Sequence, residues 1–326
     1  MRSAARRRAD RAPSRATRSA TAAIAIALAC LLAVAIDAAG AQRTPACFGA
    51  AARDPENPCV NRKLTFVAIP TPYNAPLEPS APCEPIEHVA PRACAFGPPA
   101  AKSVSSVALL GDSHATAWRA AVAVVAGAAR WHGVSITRNN CPYTFASTPG
   151  KGRCGGWAGS VRRWLKAHPE VNQVVVGANS GSGVIADKGH TLRTTKINGY
   201  IDAWKAIPQS VRDIYVVRDA PHSNNKTAEC VSSAIKRRRN PALRCARPRE
   251  RALLTDEAAV AAQRTDSKRV KLIDLSDFMC DPQSCFPVVG GALVIRDIGH
   301  LTRTFSRSLG PYLGRAIARV RTPPAS

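Results

Sequence analysis

From residue 104 onward, short apolar runs alternate with longer amphipathic stretches. The runs are rich in β-branched residues without strict alternation, as in Val174-Val175-Val176, which is typical of strands buried on both faces. This alternation predicts an α/β fold, a three-layer α/β/α sandwich around a parallel sheet. The predicted strands are 104–110, 134–138, 171–177, 213–218 and 270–274, and the predicted helices are 114–131, 157–168, 194–206, 249–265 and 302–320.

The first 41 residues have the pattern of an export signal. Seven arginines precede an apolar stretch at 22–36, and Ala39-Gly40-Ala41 supplies small residues for cleavage. We therefore predict a signal peptide at 1–41 and an exported protein that is secreted, periplasmic or held at the cell surface. An uncleaved N-terminal anchor is the alternative, although the apolar stretch is shorter than the ~20 residues of a typical span.

Residues 42–103 are rich in proline and show little periodicity. They contain four cysteines, which a plain linker would not need. We predict an irregular, disulfide-stapled extension at 42–103, followed by the main domain at 104–326.

Ten cysteines follow the signal segment, and an even number in an exported chain indicates disulfides. Zinc is the rival for so many cysteines, but no Cys-x-x-Cys occurs and the histidines are scattered, so we predict no metal. The sequence leaves the connectivity open. Pairing of sequence neighbours would join Cys47 to Cys59, Cys83 to Cys94, Cys141 to Cys154, Cys230 to Cys245 and Cys280 to Cys285.

The formal net charge is +24, and it falls to +19 without the seven arginines and two aspartates of residues 1–41. Such a charge favours contact with anionic cell-envelope polymers. Export, disulfides and few aromatic residues argue against nucleic acid, the other usual partner of a basic chain. The alternative is compositional, because arginine is abundant along the whole chain. The densest basic run, at 236–251 around Cys230 and Cys245, is typical of a solvated face.

A serine stands where a strand meets a helix. The apolar run at 104–110 leads into Gly111-Asp112-Ser113, and a helical stretch follows at once. This is the placement that a serine nucleophile needs, and the helix start favours a developing anion. An ordinary helix cap is the alternative for Ser113.

A second block near the other end offers the remaining groups for acyl transfer. Asp297 precedes His300 by three residues, so its carboxylate can accept the Nδ1 proton and leave Nε2 to take the serine proton. The alternative is that Asp297 caps the last helix. Ser113, Asn179 and Asp219 each follow a predicted strand, and sites on parallel sheets lie beyond those strand ends.

The blocks Gly111-Asp112-Ser113-His114 and Asp297-Ile298-Gly299-His300 resemble those of the SGNH (GDSL) hydrolase superfamily. More narrowly, the chain resembles the SGNH domains fused to acyltransferase-3 membrane proteins, which O-acylate cell-surface sugars. The resemblance covers nearly all of the chain after the signal segment. The other matching stretches are 46–51 with Cys59, Cys94, 140–142, 219–221, and 280–285 leading into 296–302.

The resemblance implies a flavodoxin-like SGNH-hydrolase fold without a cofactor. It makes Ser113 the nucleophile, His300 the base and Asp297 its orienter. The oxyanion hole would comprise the Ser113 backbone N–H, Asn179 and Gly177, although Ser180 replaces the family's acidic residue after the asparagine.

The implied function is that of an exported serine esterase or O-acyltransferase. Its substrates would be acyl, especially acetyl, esters of cell-envelope carbohydrates or other small acyl esters, and a membrane acyltransferase is a candidate partner. An α/β-hydrolase is the rival enzyme, but Asp297 and His300 lie too close in sequence for it. The alternative outside enzymes is a non-catalytic cationic module that binds envelope polymers.

Overall fold

A seven-stranded sheet organises this computed structural model, which describes residues 44–150, 152 and 154–321. The predicted signal segment at 1–41 lies outside the described residues. The strands of the described residues are β1 Glu84–Glu87, β2 Ala93–Phe96, β3 Ser105–Gly111, β4 Trp131–Thr137, β5 Val171–Gly177, β6 Asp213–Val217, β7 Arg247–Pro248, β8 Val270–Ile273, β9 Ser284–Cys285, β10 Val288–Val289 and β11 Ala292–Leu293. Strands β7 and β9 form a separate two-stranded sheet, and so do β10 and β11. The α-helices of the described residues are α1 Ser113–Ala129, α2 Trp157–Ala167, α3 Leu192–Lys205, α4 Thr227–Lys236, α5 Pro241–Arg244, α6 Arg249–Ala252, α7 Glu257–Arg264 and α8 Arg303–Val320.

The α/β prediction is confirmed. The sheet order is β1-β2-β4-β3-β5-β6-β8. The five strands β4, β3, β5, β6 and β8 run parallel to one another. Successive residues of β3 enter different cores: Val107 and Leu109 pack with α1 and α8, whereas Ala108 and Leu110 pack with α2, α3 and α7. Both faces of the central strands are therefore buried, which explains why their sequences lack alternation.

The segment 42–103 contains more regular structure than we expected. Strands β1 and β2 form an antiparallel pair, and β2 continues the sheet by pairing antiparallel with β4. Each strand has four residues, too short for a visible alternation of polar and apolar positions. The domain boundary near residue 103 stays a prediction.

The predicted single helix at 249–265 is wrong. The structure has α6 and α7 there, separated by Leu253–Asp256 in non-helical backbone. Asp256 caps α7, because its Oδ1 accepts hydrogen bonds from the backbone N–H groups of Ala258 (2.9 Å) and Ala259 (3.2 Å). Its Oδ2 accepts from the Asp219 N–H at 2.8 Å, so this helix start braces the end of β6.

The structure joins ten cysteines in five disulfides between sequence neighbours. The pairs are Cys47–Cys59, Cys83–Cys94, Cys141–Cys154, Cys230–Cys245 and Cys280–Cys285. In the chain-entropy model a loop of ~15 residues contributes about 3 kcal/mol.

The N-terminal segment also fixes the start of α8, close behind His300. Glu78 accepts hydrogen bonds from the N–H groups of Arg303 (2.6 Å) and Thr304 (3.1 Å) and from the Thr304 hydroxyl (2.6 Å). These bonds satisfy donors that have no partner inside the helix. A carboxylate at this end also complements the helix dipole.

Candidate active site

The turn between β3 and α1 depends on glycine. Gly111 has φ +138°, and a Cβ there would lie 1.9 Å from the Gly177 carbonyl oxygen on the neighbouring strand. Any larger residue would therefore push β3 and β5 apart. The close approach lets the chain turn sharply and present Ser113 at the edge of the sheet.

Asp112 caps α1, and Ser113 is the first residue of the helix rather than its cap. One Asp112 oxygen accepts from the His114 N–H (2.8 Å) and the other from the Asn179 N–H (2.9 Å). The carboxyl group is buried, and this burial raises the pKa of Asp112, against the opposing effects of His114 and the two N–H groups. Asp112 thus ties the turn at Gly111–Ser113 to the loop after β5.

His300 lies between Ser113 and Asp297. Its Nε2 is 2.8 Å from Ser113 Oγ, and its Nδ1 is 2.8 Å from Asp297 Oδ2. An ionised carboxylate can only accept, so Nδ1 carries a proton and Nε2 of the neutral ring accepts from the serine hydroxyl. The structure therefore brings together the three residues that the sequence analysis selected, across 187 positions of chain.

The loop itself holds Asp297 in its ionised form. Burial alone would raise the pKa of Asp297, but hydrogen bonds from the His300 ring and from the backbone N–H groups of His300 and Gly299 hold it well below the usual value. The loop closes through the bridge between Ile295 and Leu301. Asp297 is thus an anion fixed at the far side of the imidazole.

Three adjacent strands deliver polar residues to one edge. Gly111, Gly177 and Val217 are paired in register at the ends of β3, β5 and β6. Ser113, Asn179 and Asp219 each follow two residues later, so the parallel strands bring these three residues to the same edge of the sheet.

Asn179 is half-buried beside the turn at Gly111–Ser113. Its side-chain oxygen accepts from the Gly181 N–H at 2.8 Å, which leaves the amide N–H₂ as the donor end of the side chain. Gly177 is buried in the strand, and a Cβ there would lie 3.0 Å from Ala115 Cα, so it permits close packing of β5 on α1. The oxyanion roles of both residues stay predictions.

A second histidine–aspartate pair lies directly behind the first. His114 Nδ1 donates to Asp219 Oδ1 at 2.7 Å, both side chains are buried, and the His114 ring centroid is 4.7 Å from that of His300. Burial alone would lower the pKa of His114, but the hydrogen bond and charge of Asp219, with Asp112 and Asp297, raise it. Burial alone would raise the pKa of Asp219, but hydrogen bonds from His114, His222 and Ser180 hold it far below its usual value.

Asp219 also fixes the residue after Asn179. Its Oδ2 accepts from both the backbone N–H and the hydroxyl of Ser180 at 2.8 Å. Lys196 donates to the Ser180 carbonyl at 2.7 Å and pairs with Glu257 at 2.9 Å. These buried charged residues therefore fix the loop at Ser180. Ser180 stands where the family has an acidic residue.

Among the described residues, His114, Asp219 and His222 form a group close enough to hold a metal ion, with ligand atoms within 4.8 Å of one another. Both Asp219 oxygens are already engaged, one by His114 and the Ala220 N–H and the other by Ser180 and His222. These contacts describe a satisfied hydrogen-bond network.

The pairing of His114 with Asp219 was not predicted from the sequence. The available signal was the position of Asp219 directly after β6, in register with Ser113 and Asn179. Sequence spacing alone does not show that a histidine 105 positions earlier faces it.

The SGNH domain (fused to AT3 domains) is the protein family whose pattern matches residues 81–315 of the chain. This range is more than two thirds of the sequence. The chain belongs to the SGNH family. This SGNH protein is accordingly an enzyme of the SGNH hydrolase type.

The periplasmic domain of the lipopolysaccharide acetyltransferase of Salmonella ser. Paratyphi A has a similar fold. The two are 16% identical, with a TM-score of 0.50, over 67% of this SGNH protein and 85% of that chain. VinJ is 13% identical over 57% of this chain and 60% of its own, and its TM-score of 0.24 is too low to support an argument. No curated protein sequence matches the chain.

Within the part of the chain that the structure describes, we find no helix with both the length and the apolar character needed to cross a membrane.

Proposed function

We propose that this protein is an exported serine esterase or O-acyltransferase that acts on acetyl esters of cell-envelope carbohydrates. The observation that carries the proposal is the continuous hydrogen-bonded line from Ser113 Oγ through His300 to Asp297, with both bonds at 2.8 Å. Nucleophile, base and orienter in such contact are the arrangement that acyl transfer through serine requires.

In the first half-reaction, Ser113 Oγ attacks the carbonyl carbon of the ester while His300 Nε2 takes the hydroxyl proton. The resulting imidazolium is stabilised by Asp297, which does not itself accept the proton. His300 then returns the proton to the departing sugar oxygen, and the acyl group stays on Ser113.

In the second half-reaction, water or a sugar hydroxyl attacks the acyl-serine while His300 Nε2 takes its proton. The bond between the acyl carbon and Ser113 Oγ then breaks, and His300 returns the proton to the serine oxygen. Water makes the protein an esterase, and a sugar hydroxyl makes it a transferase. The negative charge of each tetrahedral intermediate would be met by the Ser113 N–H and the Asn179 amide. The amino end of α1 favours the same charge.

The cellular setting of the proposal rests on the sequence and on the comparisons. Residues 1–41 have the pattern of a signal peptide, and the similar Salmonella domain is periplasmic. Because the family's SGNH domains occur fused to AT3 domains, a membrane acyltransferase is the proposed partner, and an acylated glycan is the proposed substrate.

Hydrolysis of an activated acetyl ester tests the proposed nucleophile. We expect Ser113→Ala to lose nearly all activity, roughly 10³-fold or more, because serine and histidine act as a unit. Ser232→Ala, an exposed serine on α4, is the matched control and should retain wild-type activity. Equal activity in wild type and Ser113→Ala would exclude Ser113 as the nucleophile, and no activity in either protein would favour the non-catalytic polymer-binding module instead.

A further inference from the structure

The basic run of the sequence forms a localised surface in the structure. Lys236 ends α4, three arginines follow it, and Arg244 ends α5. All five side chains are exposed, and among the described residues none of them forms an ion pair with a carboxylate. We call this surface the basic corner, which comprises Lys236, Arg237, Arg238, Arg239 and Arg244.

The basic corner is held rigidly. The Cys230–Cys245 disulfide links α4 to the end of α5, and Asn240 caps α5 through the N–H groups of Ala242 (3.0 Å) and Leu243 (3.4 Å). The backbone N–H groups of the three arginines donate to α4 carbonyls at 2.8–3.0 Å. The backbone that carries these cations is therefore ordered before a ligand binds, so that binding costs mainly the conformational entropy of the side chains.

The same helix connects the basic corner to the triad. Ser223 donates its backbone N–H to the Ile298 carbonyl at 2.7 Å and its hydroxyl to the Asp297 carbonyl. Helix α4 begins at Thr227 and has 10 residues, so it is about 15 Å long. The basic corner thus lies at the carboxyl end of α4, and residues 224–226 join the amino end of the same helix to Ser223 on the loop that carries Asp297 and His300.

Stabilisation of α4 does not account for all of these charges. Cations favour the carboxyl end of a helix, which explains Lys236 and Arg237, but the effect is confined to the last turn. Arg239 lies beyond it, and Arg244 ends the separate four-residue helix α5. Two exposed apolar side chains lie here, Leu243 and Phe66, and the Phe66 ring centroid is 5.6 Å from the Arg238 guanidinium carbon. Membrane-surface binding would need a broader apolar face.

We propose that the basic corner binds a polysaccharide with repeated anionic groups and holds it so that its esters reach Ser113. The choice of a glycan rests on the proposed function, whereas the binding itself does not require catalysis. Guanidinium groups pair with either carboxylate or phosphate, so the shared chemistry is a chain of anions along a sugar polymer.

The test measures binding of polygalacturonate and of a phosphate-bearing glycan to protein that also carries Ser113→Ala, so that turnover plays no part. The test variant changes four residues of the basic corner to glutamine. The control variant makes the same change in net charge at four exposed cations on α2 and α3. The test residues are Lys236, Arg237, Arg239 and Arg244, and the control residues are Arg162, Arg163, Lys166 and Arg193.

We expect the basic-corner variant to bind at least one of the two glycans at least ~10-fold more weakly and to reduce the slope of log affinity against log salt by roughly 3. The control variant should stay within about twofold. If the fourfold variant is unstable, the double variant Arg239→Gln with Arg244→Gln, outside the last turn of α4, should give about half of the effect on a logarithmic scale.

An equal loss of glycan affinity in the test and control variants would overturn the proposal, because binding would then depend only on the total charge of the protein. So would an absence of wild-type binding to both glycans at low salt, or tighter binding to a single-stranded oligonucleotide or to anionic vesicles. Failure of the ester-hydrolysis test would leave the binding result standing, so the two proposals fail independently.

Discussion

Replacing Asp219 by asparagine is the most informative perturbation of the buried network. The substitution keeps the size of the side chain but removes the charge that faces His114 and one of the two accepting oxygens. Asp219 accepts from the His114 ring and the Ala220 N–H on one side, and from the N–H and hydroxyl of Ser180 on the other, all between 2.7 and 2.9 Å.

The expected cost follows from these contacts. An asparagine amide can offer its oxygen to only one side, so the N–H of Ala220 or of Ser180 is left buried without an acceptor. Such a group costs about 1–3 kcal/mol. Loss of the charge-assisted bond to His114 adds about 1 kcal/mol or more. We predict that Asp219→Asn lowers the free energy of unfolding by about 2–4 kcal/mol.

The loss should depend on pH in a definite direction. The pKa of His114 is raised in the folded wild type. The ion pair between its imidazolium and Asp219 therefore stabilises the fold fully below the unfolded pKa of ~6.5, and this stabilisation is lost as pH rises through the folded pKa. Without Asp219, burial disfavours the imidazolium. The difference between wild type and variant should therefore be larger near about pH 5.5 than near about pH 9.

Urea unfolding at the two pH values measures this difference, with Asp202→Asn as a control on an exposed aspartate. The control should change the free energy of unfolding by less than about 0.5 kcal/mol. A variant as stable as wild type at both pH values, or a loss that grows toward alkaline pH, would refute the reasoning.

Three further changes test other parts of the structure. Gly111→Ala should destabilise the protein severely because its Cβ would meet the Gly177 carbonyl, whereas Gly127→Ala, in open space on α1, should raise the free energy of unfolding by about 0.5–1 kcal/mol; thermal unfolding compares them. Glu78→Gln should cost about 1–2 kcal/mol in the same assay, since it weakens the cap on α8, and an unchanged midpoint would contradict that role. Asp297→Asn should lower kcat for an acetyl ester roughly 10³–10⁴-fold because it no longer fixes the His300 tautomer, and steady-state kinetics near wild type would exclude it as the orienter.

Much of the fold could be read from the sequence because parallel strands buried on both faces leave a dense apolar signal. Runs such as 171–177 need no alternation when Val174, Val175 and Val176 enter cores on opposite faces of the sheet. The short strands β1 and β2 gave no such signal, since four residues hold too little pattern. The break between α6 and α7 was missed because Asp256 reads as one more polar residue of a helix until its capping contacts are known.

Only part of the candidate site could be predicted from the sequence, because some of its contacts depend on which strands are neighbours in the sheet. Ser113, Asp297 and His300 belong to short local blocks whose chemistry is visible in sequence. The partnership of His114 with Asp219 depends on which strand ends are adjacent, and adjacency is a property of the sheet order β3-β5-β6. The isolation of the basic corner likewise depends on where the carboxylates lie in space, which a charge count along the chain does not show.

Identification of the acylated residue tests the central claim most directly. Wild-type protein is mixed with an activated acetyl ester, quenched in acid before the acyl-enzyme is hydrolysed, digested and examined by peptide mass spectrometry. We predict an acetyl group on Ser113 in wild type. In Ser113→Ala, both this acetyl group and the hydrolysis of the ester should be lost. Hydrolysis that continues in Ser113→Ala, or a turnover-dependent acetyl group on another residue, would contradict the assignment of Ser113 as the nucleophile.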